Sequence, residues 1–599
     1  MRRRMWGPAA LLALLATVVP VASAEAAVPM ASAEAAPGVR AEPLPLERLF
    51  DNRAVSDDAR PGAADFDGSG GSLSAQDLTA AGWTPGRSLS VDGARLTWPR
   101  TAPGEPDNVT ADGQSVRLRG RGDALAFLVA GTGGKAQGTG TVRYQDGSHS
   151  TYRLTAPDWR SGPLATKSVA LPHINTPDGQ LAEKARLYVV TVPVVRGRAV
   201  ASVELPRDNG PDLHVFALSV RPTTEGWTGS WSASTAGYAA VGPWTDRTVR
   251  LVVHTSTGGP RVRIRLENTF ATTPVRIGSA TVAVQDAGAG ARGEPVAMSF
   301  RGAAGTEIPA GAQAFSDPLD FDVPADTNLL VSFHLPGTVT AAPLHSQAIQ
   351  RSYVSGPGDH AADGSSSAYT STITTWPLLT GVDVGGGPGS VVLLGDSITD
   401  GVRSTQDANR RWPNVLARRL LNQSVVPRYG VLNQGISANR VVTDRYPGDG
   451  VSTDTGGVSA LHRLDRDVLA QTSVRTVVVF QGVNDVRWGA SAEQVIAGLR
   501  EIAERARARG LRVVGATIAP CRGESLCTAS ADAERVAVNA YIRDSGGDFD
   551  AVLDFDAVLR DPAEPARMLP AYDSGDHLHP GDAGLAAIAE SVDLRVLGA

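Results

Sequence analysis

Cysteine is almost absent from this chain. Its 599 residues carry two, Cys521 and Cys527. Two thiols cannot staple a protein of this length, so the fold must rest on buried apolar surface. No Cys/His cluster has zinc-finger spacing, and none of the ten histidines sits in an HExxH motif. We therefore expect no metal and no cofactor. Aromatic residues make up 5% and charged residues 20%, and the formal net charge is −6. A mildly acidic chain has no general attraction to nucleic acid or anionic lipid. After the first 24 residues there is no apolar run of the roughly 20 residues that a membrane-spanning helix needs.

What is present begins with a secretory pattern. Arg2, Arg3 and Arg4 precede an apolar segment (9–21) and the small-residue site Ala22-Ser23-Ala24. This reads as a signal peptide over 1–24, and so as a secreted, extracellular protein. Cleavage would take the formal charge from −6 to −9. In an oxidising compartment the close pair Cys521 and Cys527 is expected to form a loop-closing disulfide rather than two free thiols. Residues 25–42 are rich in Ala, Pro and Glu and read as a linker.

From 43 to 222 short alternating or β-branched runs recur, among them LSVDGARLTW (89–98), ALAFLVA (124–130) and RLYVVTVPV (186–194). Gly, Asp and Pro clusters separate them, the pattern of a β-sandwich. A second β-rich stretch over 223–387 reads as another sandwich and closes on the glycine-rich GVDVGGGPGS (381–390). From 388 to 599 apolar strands alternate with helical segments. The clearest helix is 491–510, with Val495, Ile496, Leu499, Ile502, Ala503 and Ala506 on one face and Gly510 as its stop. Strand–helix alternation implies a parallel sheet covered on both faces.

The chemistry concentrates in this last segment. Residues 391–401, VVLLGDSITDG, place Ser397 at a strand end, where open α/β sheets bind ligands. GVLNQG (430–435) and RTVVVFQG (475–482) bring Gly435 and Asn484 to the same sheet edge. A glycine amide and an asparagine side chain are suitable neutral donors for a developing oxyanion. Near the C-terminus, DHLHP holds Asp576 and His579 three residues apart, so one turn can supply an imidazole and the carboxylate that orients it.

GDSITDG, NQGISANR, GVND and DHLHP together resemble the four sequence blocks of the SGNH hydrolase (GDSL esterase/lipase) family, over about 391–599. The resemblance implies a flavodoxin-like three-layer α/β/α fold. It implies Ser397 as nucleophile, His579 as general base and Asp576 as its orienting partner. It also implies an oxyanion hole of the Ser397 amide, the Gly435 amide and the Asn484 side chain. One position departs from the pattern: Ala438 stands where a second glycine is expected, a difference we assign to loop packing.

The second β-rich stretch, with TGSWSAS (228–234) and RIRLENTFATTPVRIGSATVAV (263–284), resembles a β-domain preceding SGNH domains in secreted actinobacterial proteins. His360 beside Asp359 in it reads as a structural turn. The first resembles accessory modules of glycan-degrading enzymes, which implies carbohydrate binding. Its Asp65–Gly70 segment starts like an EF-hand loop, but Gln76 stands at the twelfth position, so a solvated turn is the expectation. Trp488, four residues after Asn484, is a candidate lining of a sugar or acyl pocket. Trp412, before Pro413, is expected in the core.

The sequence thus points to a secreted serine esterase whose partner is an ester substrate, an acylated, acetylated glycan in the leading reading. A lipase or phospholipase on the same machinery and a non-catalytic glycan-binding surface protein are the alternatives. Neither the natural ester nor the oligomeric state is legible.

Overall fold

The computed structural model describes residues 42–207, 210–544 and 546–598. The expected signal peptide lies outside the described residues, as does all of the expected linker but Glu42. From Pro43 onward the chain forms one compact unit.

Strand Ala124–Thr132 explains the continuous apolar run of the first β region, because it is buried on both faces. Leu125, Phe127 and Val129 point into one core with Val142, Leu154 and Val203. Ala126, Leu128 and Ala130 point into another with Phe66, Trp83, Trp159 and Phe216. Two sheets, one five-stranded and one four-stranded, pack around these residues.

The second β region is built on two 18-residue strands, Gly237–His254 and Asn328–His345, paired antiparallel. Two seven-stranded sheets enclose its core of Val249, Leu251, Ile264, Val331, Phe333 and Val382. The two β regions are not separate sheets on either side of residue 222. The hairpin of Ser88–Val91 and Ala94–Thr97 joins the second region's sheet, where Ser90 pairs with Gln313. Leu89 and Leu96 of the same hairpin sit in the first region's core.

The C-terminal segment carries a five-stranded parallel sheet. Its strands are β1 (Ser390–Gly395), β2 (Gly430–Gly435), β3 (Val474–Phe480), β4 (Arg512–Ala516) and β5 (Ala551–Leu553). Their spatial order, 2-1-3-4-5, is the flavodoxin-like one. The period-2 pleat divides the apolar residues between two layers. Val392, Leu394, Val477 and Val479 face helix Ala492–Ala508, and Val391, Leu393, Val478 and Phe480 face helices Trp412–Leu421 and Asp582–Ser591. Helix Ala492–Ala508 opens on a capping box between Ser491 and Gln494. Trp412 is fully buried against Phe480 and Phe555.

Strand β2 is the edge of this sheet, and the second β region covers it. The Val431 amide donates to Ser256 Oγ (2.9 Å), and the Gly229 amide donates to Ser390 Oγ (2.9 Å). The approach is so close that a Cβ on Gly430 would lie 1.9 Å from the Gly229 carbonyl oxygen. No helix among the described residues is long and apolar enough to cross a membrane.

Candidate active site

Strand β1 runs into Asp396, whose side chain accepts the Ile398 amide (3.0 Å) and caps the short helix α1, Ser397–Asp400. Ser397 therefore stands at the carboxyl end of the central strands. Its hydroxyl donates to His579 Nε2 (2.8 Å), and His579 Nδ1–H donates to Asp576 Oδ2 (2.8 Å). The other carboxylate oxygen, Oδ1, accepts the amides of Leu578 (3.0 Å) and His579 (2.8 Å), so the turn is closed on itself. Arg403 Nε also donates to Asp576 Oδ2, at 2.9 Å.

Burial pushes the Asp576 carboxyl up, but the His579 amide, ring and charge and the Leu578 amide outweigh it and hold the group well below the usual carboxylate range. Burial depresses the His579 imidazole. Asp576 pulls it back up through hydrogen bond and charge, and the Arg487 and Arg403 charges push it down, leaving it below the ordinary histidine value.

The donors around Ser397 differ in one respect from expectation. Ser397 opens α1, so its own amide has no intrahelical acceptor. Asn484, on α2 (Val483–Arg487), is buried; its Nδ2 donates to the Asn439 carbonyl (3.0 Å), and its Oδ1 accepts from Arg487 Nη1 (3.0 Å). A guanidinium only donates, so this contact fixes which way the amide points and leaves Nδ2 one hydrogen to spare. Arg487 is held by Glu524 (2.9 Å), inside the loop closed by the Cys521–Cys527 disulfide.

Gly435 is not a free donor, contrary to the sequence reading. Its amide donates to Asn433 Oδ1 at 2.9 Å. Glycine is needed there for packing, since a Cβ would come 2.2 Å from the Asp400 nitrogen. The free amide lies three residues on. Ser437 N–H donates to Asp400 Oδ2 (3.0 Å) and Asn439 N–H to the Ile436 carbonyl (3.1 Å), while the Ala438 amide between them has no acceptor among the described residues. Ala438 adopts φ +65°, the left-handed conformation that glycine takes readily.

Sequence reading also missed Arg463. Its fully buried guanidinium donates to the carbonyls of Gly395 (2.9 Å) and Gln434 (2.8 Å) and so ties together the ends of β1 and β2. Trp488, at the end of α2, is 37% exposed. His360 lies against Asp363 (2.8 Å) and the Pro357 carbonyl, in the second β region. Asp65 and Asp67 accept amides of their own loop, from Gly70 and from Ser69 and Gly71. Among the described residues no group of three or more His, Cys, Asp or Glu is placed to hold a metal ion.

A flavodoxin-like parallel sheet that carries a serine, an imidazole and a carboxylate in hydrogen-bonded series at its carboxyl edge has the groups that acyl transfer needs. Residues 393–587 match the GDSL-like Lipase/Acylhydrolase family, and residues 40–224 match an AziU2-like beta-sandwich domain. The C-terminal segment is a GDSL-family domain, and the chain is a carboxylic ester hydrolase with a β-rich N-terminal region. No curated protein sequence matches it. Among solved structures it is similar to a protein described as lipolytic and of the G-D-S-L family from Desulfitobacterium hafniense, with 23% identity, 35% of this chain and 98% of that chain covered, and a TM-score of 0.27. A GDSL-like lipase from Bacteroides thetaiotaomicron gives 18% identity, coverage of 35% and 87%, and a TM-score of 0.26. An acetyl xylan esterase gives 20% identity, coverage of 34% and 96%, and a TM-score of 0.25.

Proposed function

We propose that this chain is a secreted serine esterase acting on acylated carbohydrate through a Ser397 acyl-enzyme. The observation that carries the chemistry is the unbroken series from Ser397 Oγ to His579 Nε2 and from His579 Nδ1 to Asp576, both links 2.8 Å. Ser397 attacks the ester carbonyl while His579 takes its proton. The oxyanion is received by the amides of Ser397 and Ala438 and by Asn484 Nδ2. Collapse expels the alcohol, which leaves with the proton from His579. Water, deprotonated by the same ring, then attacks the acyl-enzyme; the acid departs and Ser397 recovers its proton.

The secretory reading rests on Arg2–Arg4, the apolar segment 9–21 and the small-residue site ending at Ala24. The glycan reading rests on the β-sandwich regions that precede and brace the hydrolase domain. A chromogenic ester series from acetate to palmitate tests both steps. Hydrolysis confined to short acyl groups and lost in Ser397→Ala supports the proposal. Long-chain preference identifies a lipase, and full activity in Ser397→Ala refutes the nucleophile.

A further inference from the structure

Trp488 is ringed by guanidinium groups. Its amide donates to the Asn484 carbonyl (3.2 Å), so its backbone stands one helical turn, about 5.4 Å, from that of Asn484. The guanidinium carbon of Arg445 lies 4.4 Å from a ring centroid, and those of Arg440 and Arg487 each lie 5.5 Å away.

The three arginines differ in how their charge is met. Arg445 is paired with Asp454 (2.7 Å) and Arg487 with Glu524 (2.9 Å). Arg440 has no carboxylate within ion-pair distance among the described residues. Its Nη2 donates to the Asp444 carbonyl (3.1 Å), and its Nε is buried with no acceptor. The nearby acids are committed elsewhere. Asp485 takes the Val441 and Val442 amides, and Asp444 takes His462 and the Ser459 amide. Arg440 follows Ala438 by two residues in the same loop. One guanidinium with an orphaned donor thus belongs to the loop that carries Ala438 and lies against an aromatic ring that is partly open to solvent.

We propose that Arg440, Arg445 and Trp488 form a subsite for a carboxylate-bearing sugar, so that the ester is carried by an acidic, uronosyl-containing glycan. This rests on the esterase reading above. A guanidinium fork matches a planar carboxylate, and an indole edge offers an apolar surface to a sugar ring. A guanidinium without a direct carboxylate partner suits a monoanion. Asp454 and Glu524, already in place, would repel a phosphate dianion.

The test compares acetate release by the full chain from acetylated polygalacturonate and from acetylated mannan, a neutral glycan, with p-nitrophenyl acetate as the reference ester. The acidic polymer is expected to be preferred by about tenfold or more in kcat/KM at low salt, with the preference shrinking as salt rises. Arg440→Gln is expected to remove about tenfold of that preference, mainly through KM. Arg440→Lys should keep part of it, because the charge stays and the fork is lost. Equal rates on the two polymers, unaltered by Arg440→Gln while p-nitrophenyl acetate is still cleaved, would overturn the subsite and leave the esterase standing. A preference for phospholipid over both polymers would overturn it as well.

Calorimetry on Ser397→Ala gives a readout that needs neither turnover nor a folded Arg440 variant. Unacetylated oligogalacturonate should bind and neutral manno-oligosaccharide should bind at least tenfold more weakly; equal binding of the two overturns the subsite. Failure of the parent enzyme on every ester would reject the esterase reading, and the calorimetric comparison would still decide the subsite.

Discussion

His345 Nε2 lies 3.0 Å from Asp400 Oδ1, with both side chains buried. His345 ends the long strand Asn328–His345 of the second β region, and Asp400 is the last residue of α1. The other ring nitrogen, Nδ1, faces the Ser234 carbonyl (3.0 Å), and Asp400 Oδ2 accepts the Ser437 amide. A residue of the β region thus braces the helix that carries Ser397 and, through it, the loop that carries Ala438. His345→Ala is expected to cost about 1–3 kcal/mol of stability, because Asp400 loses a buried partner. It should lower kcat while leaving KM nearly unchanged. His345→Gln, which restores a donor, should recover much of both. Denaturant unfolding and steady-state kinetics on one ester read the two effects.

Ala438 makes a second point of test. Ala438→Gly should keep activity and hold or slightly raise the melting temperature, since it relieves a left-handed alanine at a cost of about 1–2 kcal/mol, partly offset by glycine's greater chain entropy. Ala438→Pro removes the amide and cannot adopt φ +65°. Its kcat should fall by about 100-fold or more, as for loss of one oxyanion donor. Retention of full activity by Ala438→Pro would remove this residue from the oxyanion hole.

Asn484→Ala should lower kcat by about 100–1000-fold with little change in KM. Arg487→Met should have a smaller effect of the same kind, because the amide loses the contact that orients it. A single-turnover assay that follows acyl-enzyme formation separates this from any change in substrate binding.

The pH profile follows from His579. The ring must be neutral to accept the Ser397 proton. Its depressed value keeps it neutral to lower pH, so kcat/KM should hold until below about 6.5, the ordinary histidine value. Arg403→Gln removes a positive charge facing the ring and leaves Asp576 less compensated. Both changes favour the imidazolium, so the acidic limb should move to higher pH. A shift to lower pH would contradict the assignment.

Residues 388–599 expressed alone should be poorly soluble. Strand β2 would lose the Ser256 and Gly229 contacts that cover it, and an uncovered edge strand pairs with other chains. Size-exclusion chromatography of the isolated segment against the full chain checks this.

The strands and the serine were legible because they rest on local chemistry. VVLLG must be buried on both faces, and Asp396-Ser397 must follow it at the strand end. Asp576 and His579 were legible because three residues of one turn hold both groups. The choice between Gly435 and Ala438 was not. Both are small residues after a strand, and only the tertiary contact of Gly435 with Asn433 and Asp400 shows which amide is spent. Arg487, Arg463 and His345 carry no motif, and their roles come from partners 3 to 111 positions away. That the Ser88–Thr97 hairpin joins the second region's sheet was not legible for the same reason, since such a hairpin looks alike whichever sheet it joins.

By itself, the amino-acid order pointed to a GDSL-type domain after a β-rich region, and it singled out Ser397, Asp576 and His579, which the structure places in hydrogen-bonded series. Periodicity and turn chemistry are short-range properties and survive in one dimension. Tertiary structure alone decided which backbone amide is left unpaired, how Asn484 is turned, and that a histidine of the second β region supports the helix that carries Ser397. Those outcomes depend on hydrogen-bond partners brought together by packing, and no local pattern encodes who meets whom.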